Sequence, residues 1–344
     1  MAKRQLNRRQ AWRIKKVQEE RAQRAARRDA KTEDQLLEGI LGVEQEGLVI
    51  AHYGSQLAIE PKSSDGTYGS LPAKRCHFRA NLGSLVTGDR VIWCDQEPTG
   101  VVVARLDRSS ELCRPDPYGD LKTVAANIDR VIIVVAPFPE PHANLIDRYL
   151  VAAETQNIRP IILLNKIDRI DAQNQQKIDG LMAPYESLGY DVLRTSAKNP
   201  ESLNELRQFL VDFTCVFVGQ SGVGKSSLIN SLLPDANLRV GALSELTQKG
   251  THTTTTAHLF HFPLGGQLID SPGIREFGLW HMTRDQLLEG FIEFRPSLGH
   301  CRFRDCKHEQ EPGCAIQKAL IAGEISAERM ASFQHILATL EDEQ

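Results

Sequence analysis

Val216-Phe217-Val218-Gly219-Gln220-Ser221-Gly222-Val223-Gly224-Lys225-Ser226-Ser227 runs from an apolar strand through a glycine-rich turn into a helical pattern that ends at Leu233. A Gly-x-x-x-x-Gly-Lys-Ser loop in that setting cradles phosphates. Gly222 and Gly224 let the backbone fold with its N–H groups pointing inward. Lys225 can then reach the β- and γ-oxygens of a nucleoside triphosphate, and the Ser226 hydroxyl can serve magnesium. The helix that starts near Lys225 adds the positive end of its dipole.

Working outward, Asn165-Lys166-Ile167-Asp168 follows the apolar strand Pro160 to Leu164, and Thr195-Ser196-Ala197-Lys198 follows the strand Asp191 to Arg194. Ligands bind at such strand ends in open α/β sheets. The Asp168 carboxylate suits the guanine N1–H and N2 amino group. Adenine has no donors there and would leave a buried carboxylate unpaired, at about 1–3 kcal/mol or more, so GTP is expected over ATP. Lys166 would lay its stem along the base, and the backbone N–H groups of Ser196 and Ala197 would meet the base carbonyl. Behind the phosphate loop come the threonine run Thr251 to Thr256 and Asp270-Ser271-Pro272-Gly273. Asp270 is expected to hold magnesium through water, and Gly273 to offer its N–H to the γ-phosphate. One of Thr253, Thr254 and Thr255 completes the magnesium shell; the sequence leaves open which, and Thr254 is the working choice. Ordinary small GTPases place the guanine motif after the phosphate loop. Here it comes before, so the chain reads as a circularly permuted G domain.

Ile274 follows Gly273, so the glutamine that orients attacking water in some GTPases is missing from that place. His252, between threonines in the γ-phosphate-sensing loop, is the expected catalytic residue. A neutral imidazole with a pKa near 6.5 can accept a hydrogen bond from water at working pH.

A second chemistry lies at Cys301-x4-Cys306-x-His308-x5-Cys314. Three thiolates and an imidazole suit tetrahedral zinc, and four protein ligands leave no position for a reacting water, so the ion is expected to be structural. Such a site can contribute about 10–16 kcal/mol to a segment too short to build its own core. The other four of the seven cysteines are scattered, and no secretory signal stands at the start. Disulfides are therefore not expected, and a reducing, cytoplasmic setting is.

The overall net charge of −3 hides a polarity. Residues 1–31 hold twelve Lys or Arg against three acids, a net +9, while the remainder holds 29 basic and 41 acidic residues, a net −12. A basic arm of this kind releases counterions from nucleic acid. It has few apolar residues and no helical period, so disorder is expected there, giving way to helix on RNA.

Between the arm and the guanine motif, Gly47-Leu-Val-Ile, Gln56-Leu-Ala-Ile, Arg90-Val-Ile-Trp and Gly100-Val-Val-Val-Ala are short apolar runs punctuated by Gly54, Asp65-Gly66 and Gly88-Asp89. They suggest a small closed barrel, an OB-fold or an SH3-like one. Arg130 to Ala136 then opens a series of buried strands alternating with helices near 145–154, 172–188 and 203–209, the pattern of a parallel sheet covered on both faces. No run is long enough to span a bilayer. The division is 1–37 arm, 38–108 OB barrel, 109–279 permuted GTPase domain of α/β class, and 280–344 zinc-binding helical domain.

The motif order, together with Ala125-Ala-Asn-Ile-Asp129, Gly219 to Ser227, Asp270 to Trp280, and Cys306-Lys-His308 with Pro312-Gly-Cys-Ala-Ile316, resembles the bacterial ribosome small-subunit-dependent GTPase A family from about Gly47 to the C-terminus. The resemblance implies a late assembly factor. It would bind the small ribosomal subunit and its rRNA through barrel and zinc domains, and hydrolyse GTP to GDP under stimulation by the subunit. It also implies nucleotide binding by Asn165, Lys166, Ile167, Asp168, Ser196, Ala197, Gly219 to Ser227 and Gly273, catalysis by His252, and zinc on Cys301, Cys306, His308 and Cys314. An asymmetric partner of that kind favours a monomer.

Only Ile274 to about Trp280 separates the γ-phosphate-sensing loop from the zinc segment, so the expectation is that ordering of the loop moves the segment. Two rival readings stand beside this one. An RNA-binding module could hold nucleotide without turnover, or a GTP-gated regulator could act on another protein without RNA.

Overall fold

The computed structural model describes residues 42–115, 120–233, 257–270 and 282–342. The chain forms two compact units, Met1–Asp107 and Arg108–Gln344.

In the first unit five strands close on themselves: β1 (Glu44–Tyr53), β2 (Gln56–Pro61), β3 (Lys74–Phe78), β4 (Arg90–Cys94) and β5 (Gly100–Arg105). β1–β2, β2–β3, β4–β5 and β1–β4 are antiparallel, whereas β3 and β5 run parallel. A meandering SH3-like barrel has no parallel pair, so the order selects the OB-fold. Val49, Leu57, Ile59, Val91 and Val102 fill the interior around Trp93. The indole needs two glycines beside it. A Cβ on Gly47 would lie 2.7 Å from the Trp93 ring, and one on Gly100 would lie 2.9 Å away. β3 was not legible as a strand, because Lys-Arg-Cys-His-Phe has one buried residue, Cys76, between polar neighbours.

The second unit begins with a hairpin, β6 (Glu111–Pro115) and β7 (Leu121–Ala126), and continues into a six-stranded sheet. Its strands are β8 (Arg130–Val135), β9 (Arg159–Leu164), β10 (Asp191–Arg194), β11 (Thr214–Val218), β12 (His258–His261) and β13 (Gln267–Asp270), ordered β10-β9-β8-β11-β13-β12. All neighbours are parallel except the edge pair β12–β13. The chain moves outward from β8 to β10 and then returns to the other side of β8 with β11. The carboxyl ends of β8 and β11 therefore flank the crevice where ligands of such sheets bind.

One sheet face is covered by α3 (Pro200–Leu210) and α4 (Lys225–Leu232), whose Leu203, Leu206, Leu228, Ile229 and Leu232 pack on Ile132, Ile161 and Phe217. α2 (Gln175–Ser187) lies between β9 and β10 in sequence. α1 (Ala143–Glu154) contacts β8 and β9 and buries seven residues, Asp147 among them. A helix buried so far round its circumference needs a second layer. That layer comes from α5 (Arg284–Gly290) and α7 (Ala327–Asp342), which pack on α1 and are joined through α6 (Ala315–Ile321). Phe291, Phe294 and Phe333 form the centre of this layer, with ring centroids 5.0–5.8 Å apart. Among the described residues no helix is long and apolar enough to cross a membrane.

Candidate functional site

The phosphate loop leaves β11 at Gly219 and enters α4 at Lys225. Lys166, Gly219, Ser221, Gly222, Gly224, Lys225, Ser226 and Ser227 line one open cleft of about 520 Å³. Gly219, Gly222 and Gly224 all have φ between +86° and +135°, a region that side chains rarely enter. Gly219 is also pressed on the sheet, where a Cβ would stand 2.3 Å from the carbonyl oxygen of Val134. Val223 is buried in the core beneath the loop, Gln220 is half-buried, and Ser226 and Ser227 are exposed on the first turn of α4.

The guanine motif is joined to this loop by two side chains. Asn165, 1 % exposed, donates through Nδ2 to the Val223 carbonyl at 2.9 Å. Lys166 donates to the Gly222 carbonyl at 2.5 Å and to Phe138 O at 3.0 Å. Partial burial, followed by the charge of Arg169, pulls the Lys166 ammonium below its usual pKa. Lys225 folds back on its own loop, donating to Gly219 O at 2.5 Å and Gln220 O at 2.7 Å. An ammonium held by two carbonyls is held where arriving phosphate oxygens can take it over.

The residues expected to read the base meet at the ends of β9 and β10. Asp168 accepts from Ser196 Oγ at 2.6 Å and from Lys198 Nζ at 3.1 Å. The Ser196 hydroxyl first, and Lys198 second, hold the Asp168 carboxyl below its usual value of 3.8. Ile167 N–H donates to Thr195 O at 3.2 Å, tying the two loops together. The Ser196 N–H, one of the two expected at the base carbonyl, donates to Ser202 Oγ at 3.2 Å. Sequence reasoning passed over Lys198, Ser202 and the carbonyl of Phe138. Lys198 closes the quoted Thr-Ser-Ala-Lys motif and could have been found there, whereas the other two carry no local signal.

Asp270, 6 % exposed, ends β13 opposite His258 of β12. The Ser226 hydroxyl on α4 and this carboxylate are hard oxygen donors of the kind magnesium takes with a triphosphate. His252, Thr253, Thr254, Thr255 and Gly273 lie outside the described residues.

The four residues expected to hold zinc converge. Cys301, Cys306, His308 and Cys314 bring their ligand atoms within 4.8 Å of one another. Cys301 Sγ lies 3.5 Å from His308 Nδ1 and 4.0 Å from Cys314 Sγ, and His308 Nδ1 lies 3.4 Å from Cys314 Sγ. Tetrahedral zinc with Zn–S of about 2.3 Å and Zn–N of about 2.0 Å requires separations of about 3.5–3.8 Å, so the set fits the ion. Backbone N–H groups of Ala315 and Gln317 donate to Cys301 Sγ and Cys314 Sγ at 3.3 and 3.4 Å, and Gln317 Nε2 fixes His308 through its carbonyl at 2.8 Å. Burial, followed by the charge of Arg284, lowers the His308 pKa. Cys314 also caps α6, so the ligand set and the helix start depend on one another.

The profile of the RsgA GTPase family matches residues 105–280. A protein of Ectopseudomonas mendocina named small ribosomal subunit biogenesis GTPase RsgA is 61 % identical over the whole of this chain and 99 % of its own length. One of the same name from Azotobacter vinelandii is 61 % identical over 99 % of this chain and 98 % of its own. Among solved structures, YjeQ of Thermotoga maritima aligns with a TM-score of 0.70 at 29 % identity, covering 87 % of this chain and 99 % of that one. YloQ, described as a circularly permuted GTPase, aligns with a TM-score of 0.69 at 26 % identity, covering 88 % and 96 %. With the permuted sheet, the phosphate loop and the Cys3His cluster all in place, these likenesses extend across both units, and the chain belongs to the RsgA GTPase family.

Proposed function

We propose that this chain is a GTPase of small-ribosomal-subunit maturation, binding the subunit and its rRNA, hydrolysing GTP to GDP and phosphate under the subunit's stimulation, and coupling hydrolysis to release. The observation that carries the nucleotide half is the bond from Asn165 to Val223, which brings the guanine-reading and phosphate-binding loops of the permuted chain to one cleft. The partner half is supported by relatives named for small-subunit biogenesis at about 60 % identity over nearly full length. It is supported also by the OB barrel, a fold that often binds RNA, and by the basic residues 1–31.

The roles proposed are these. Asp168 reads the guanine N1–H and N2 amino group, Ala197 the base carbonyl, and Lys166 flanks the base. Gly219 to Ser227 wrap the phosphates, with Lys225 leaving the carbonyls of Gly219 and Gln220 for the β- and γ-oxygens. Ser226, Asp270 and Thr254 would hold magnesium, which would supply positive charge to the phosphates. Gly273 senses the γ-phosphate and His252 orients the attacking water by accepting its hydrogen bond. The Cys3His set holds one structural zinc. The four-part division at 37, 108 and 279, the monomeric state and the cytoplasmic setting belong to the same proposal.

GTP turnover measured with and without small subunits, for wild type and His252→Ala, tests it. Strong stimulation that the substitution abolishes is the expected result. Absence of stimulation favours an RNA-binding module with nucleotide held but not turned over, and stimulation that survives the substitution removes His252 from the chemistry. Release on hydrolysis requires tighter subunit binding by the GTP form than the GDP form, and equal affinities would refute it.

A further inference from the structure

One outer face of the barrel gathers aromatic, guanidinium and amide groups. Successive side chains of a strand alternate between its two faces, and residues paired across an antiparallel ladder share one face. Leu57, Ile59 and Cys76 lie in the barrel core. Their neighbours therefore point outward: Gln56 and Ala58 on β2, and Arg75 and His77 on β3, with Arg75 paired to Ala58. Tyr53, the last residue of β1, pairs with Gln56 and joins the same face.

Tyr53 is 40 % exposed, and the guanidinium carbon of Arg75 lies over its ring, 3.6 Å from the centroid. That is the contact of a guanidinium laid on an aromatic face, held there by the attraction of the cation for the ring. The contact spans β2, and it can do so because the β2 residue paired with Arg75 is the small Ala58. Beside it Gln56 Nε2 donates to His77 Nε2 at 3.4 Å, which leaves the amide oxygen of Gln56 as an acceptor. The ammonium groups at the margin are already used. Lys62 bonds Glu46 at 2.8 Å, and Lys74 bonds Asp95 and Glu97. What this face presents is thus a planar stack with hydrogen-bonding groups at its side, and not a row of lysines.

Double-helical RNA keeps its bases stacked on one another and meets a protein through phosphates and 2′-hydroxyls, which calls for cations at phosphate spacing. Unpaired bases are different. They stack on aromatic rings and guanidinium planes and offer their edges for hydrogen bonds. The outer face of β2 and β3 is also where OB-folds take oligonucleotides. We propose that Tyr53 and Arg75 form a stacking platform for unpaired bases of RNA, with Gln56 and His77 meeting the base edge, so that the barrel takes single-stranded and not double-helical RNA. This assignment rests on the reading of the chain as an rRNA-binding protein.

The test uses the full-length protein and a uridylate oligomer of about twelve nucleotides, a length that suits one OB-fold face, carrying 5-iodouridine for photocrosslinking. In wild type the crosslink should fall on Tyr53. Tyr53→Leu, which keeps apolar bulk without the ring, should weaken oligomer binding about tenfold, within the range that one stacked base supplies. The slope of log affinity against log salt should not change, because a ring neutralises no phosphate. Tyr53→Phe should bind as wild type, and affinity for an RNA duplex of the same length should be the same in all three. Arg75→Gln should also weaken oligomer binding at constant slope, and a slope reduced by about 0.7 would make Arg75 a phosphate contact and remove it from the platform. Wild-type oligomer affinity in Tyr53→Leu overturns the proposal, as does an equal loss for oligomer and duplex, or crosslinking confined to residues 1–31. Unchanged oligomer binding with weakened small-subunit binding would make the face a protein-docking surface, and that overturns it too. Should Tyr53→Leu not fold, the wild-type crosslink decides alone. Failure of wild type to bind any RNA would overturn the rRNA reading itself, whereas RNA binding that ignores Tyr53 overturns only the platform.

Discussion

The phosphate loop and the zinc loop are both short and irregular, and a non-glycine residue takes the left-handed region at each site, Lys166 of the neighbouring guanine motif at φ 60° and His308 of the zinc loop at φ 58°. They differ in how their ligand-seeking groups are occupied. In the phosphate loop the protein satisfies them itself: Lys225 bonds Gly219 O and Gln220 O, and Lys166 bonds Gly222 O. In the zinc loop the three thiols and the imidazole face one another within 4.8 Å, and the backbone donors nearby already point at sulfur. A ligand entering the first must exchange bonds with the protein, so its net gain is moderate and reversible. An ion entering the second displaces the thiol protons but finds its four ligand atoms already gathered. The first geometry suits a molecule that turns over, and the second suits one that stays.

Removing zinc ligation should therefore produce the largest effect. Cys314→Ala loses a thiolate and a helix cap together, and a structural zinc site is worth about 10–16 kcal/mol of apparent binding. The expected outcome is loss of zinc to a weak chelator and of exchange protection from Cys301 through Ile321. Retention of both would place the stability of this segment in the Phe291, Phe294 and Phe333 packing instead. Next comes Lys225→Ala. Two charge-assisted bonds to phosphate, at about 1.5–3 kcal/mol each, predict a loss of GTP and GDP affinity of at least about 100-fold with the zinc content unchanged. Affinity within tenfold of wild type would mean that Lys225 never leaves its carbonyls.

The contrast also separates what the residues disclosed from what they did not. Both loops were legible because their chemistry is local: Gly219 to Ser226 and Cys301 to Cys314 each carry their ligands within a few positions of one another. The permuted order of the sheet followed from Asn165 standing ahead of Gly219. What stayed hidden depends on residues far apart in the chain. Asp147 accepts from Arg329 across 182 positions, and nothing around Asp147 distinguishes it from a solvated helix acid, yet it is fully buried. β3 hid because its Lys-Arg-Cys-His-Phe shows no apolar alternation, and its place is set by a parallel pairing with β5. The hairpin β6–β7 was passed over for the same reason, its Glu-Leu-Cys-Arg and Leu-Lys-Thr-Val being mixed in character.

A substitution at the junction of guanine and phosphate loops sharpens the comparison further. Gly224 has φ 97°, and a Cβ there would lie 2.5 Å from Asn165 Nδ2. Gly224→Ala should strain the loop and dislodge Asn165 from Val223. A backbone cost of about 1–3 kcal/mol predicts roughly tenfold weaker nucleotide binding, measured by fluorescent GDP titration. Wild-type affinity would show that the loop rearranges freely, against the picture of a preformed cradle.

The smallest effect concerns pH. The Ser196 hydroxyl and Lys198 hold the Asp168 carboxyl below 3.8, so its ionised form is favoured in the folded state. For a carboxylate with a depressed folded pKa, the contribution is present above the unfolded value and is lost as pH falls through the folded one. Guanine reading by Asp168 should therefore not change from about pH 8 to about pH 5, well above the range in which this group titrates. Nucleotide phosphates titrate near pH 6, which would obscure a bare affinity. The ratio of GDP to IDP affinity cancels them, because the two differ only in the N2 amino group that Asp168 is proposed to accept. That ratio should stay constant across the range in wild type. In Ser196→Ala the loss of one hydrogen bond moves the carboxyl back towards 3.8, still ionised at every pH in the range, so the ratio should fall slightly through poorer orientation and remain flat. A ratio that declines between pH 8 and 5 would assign the N2 reading to another group, one that titrates where Asp168 cannot.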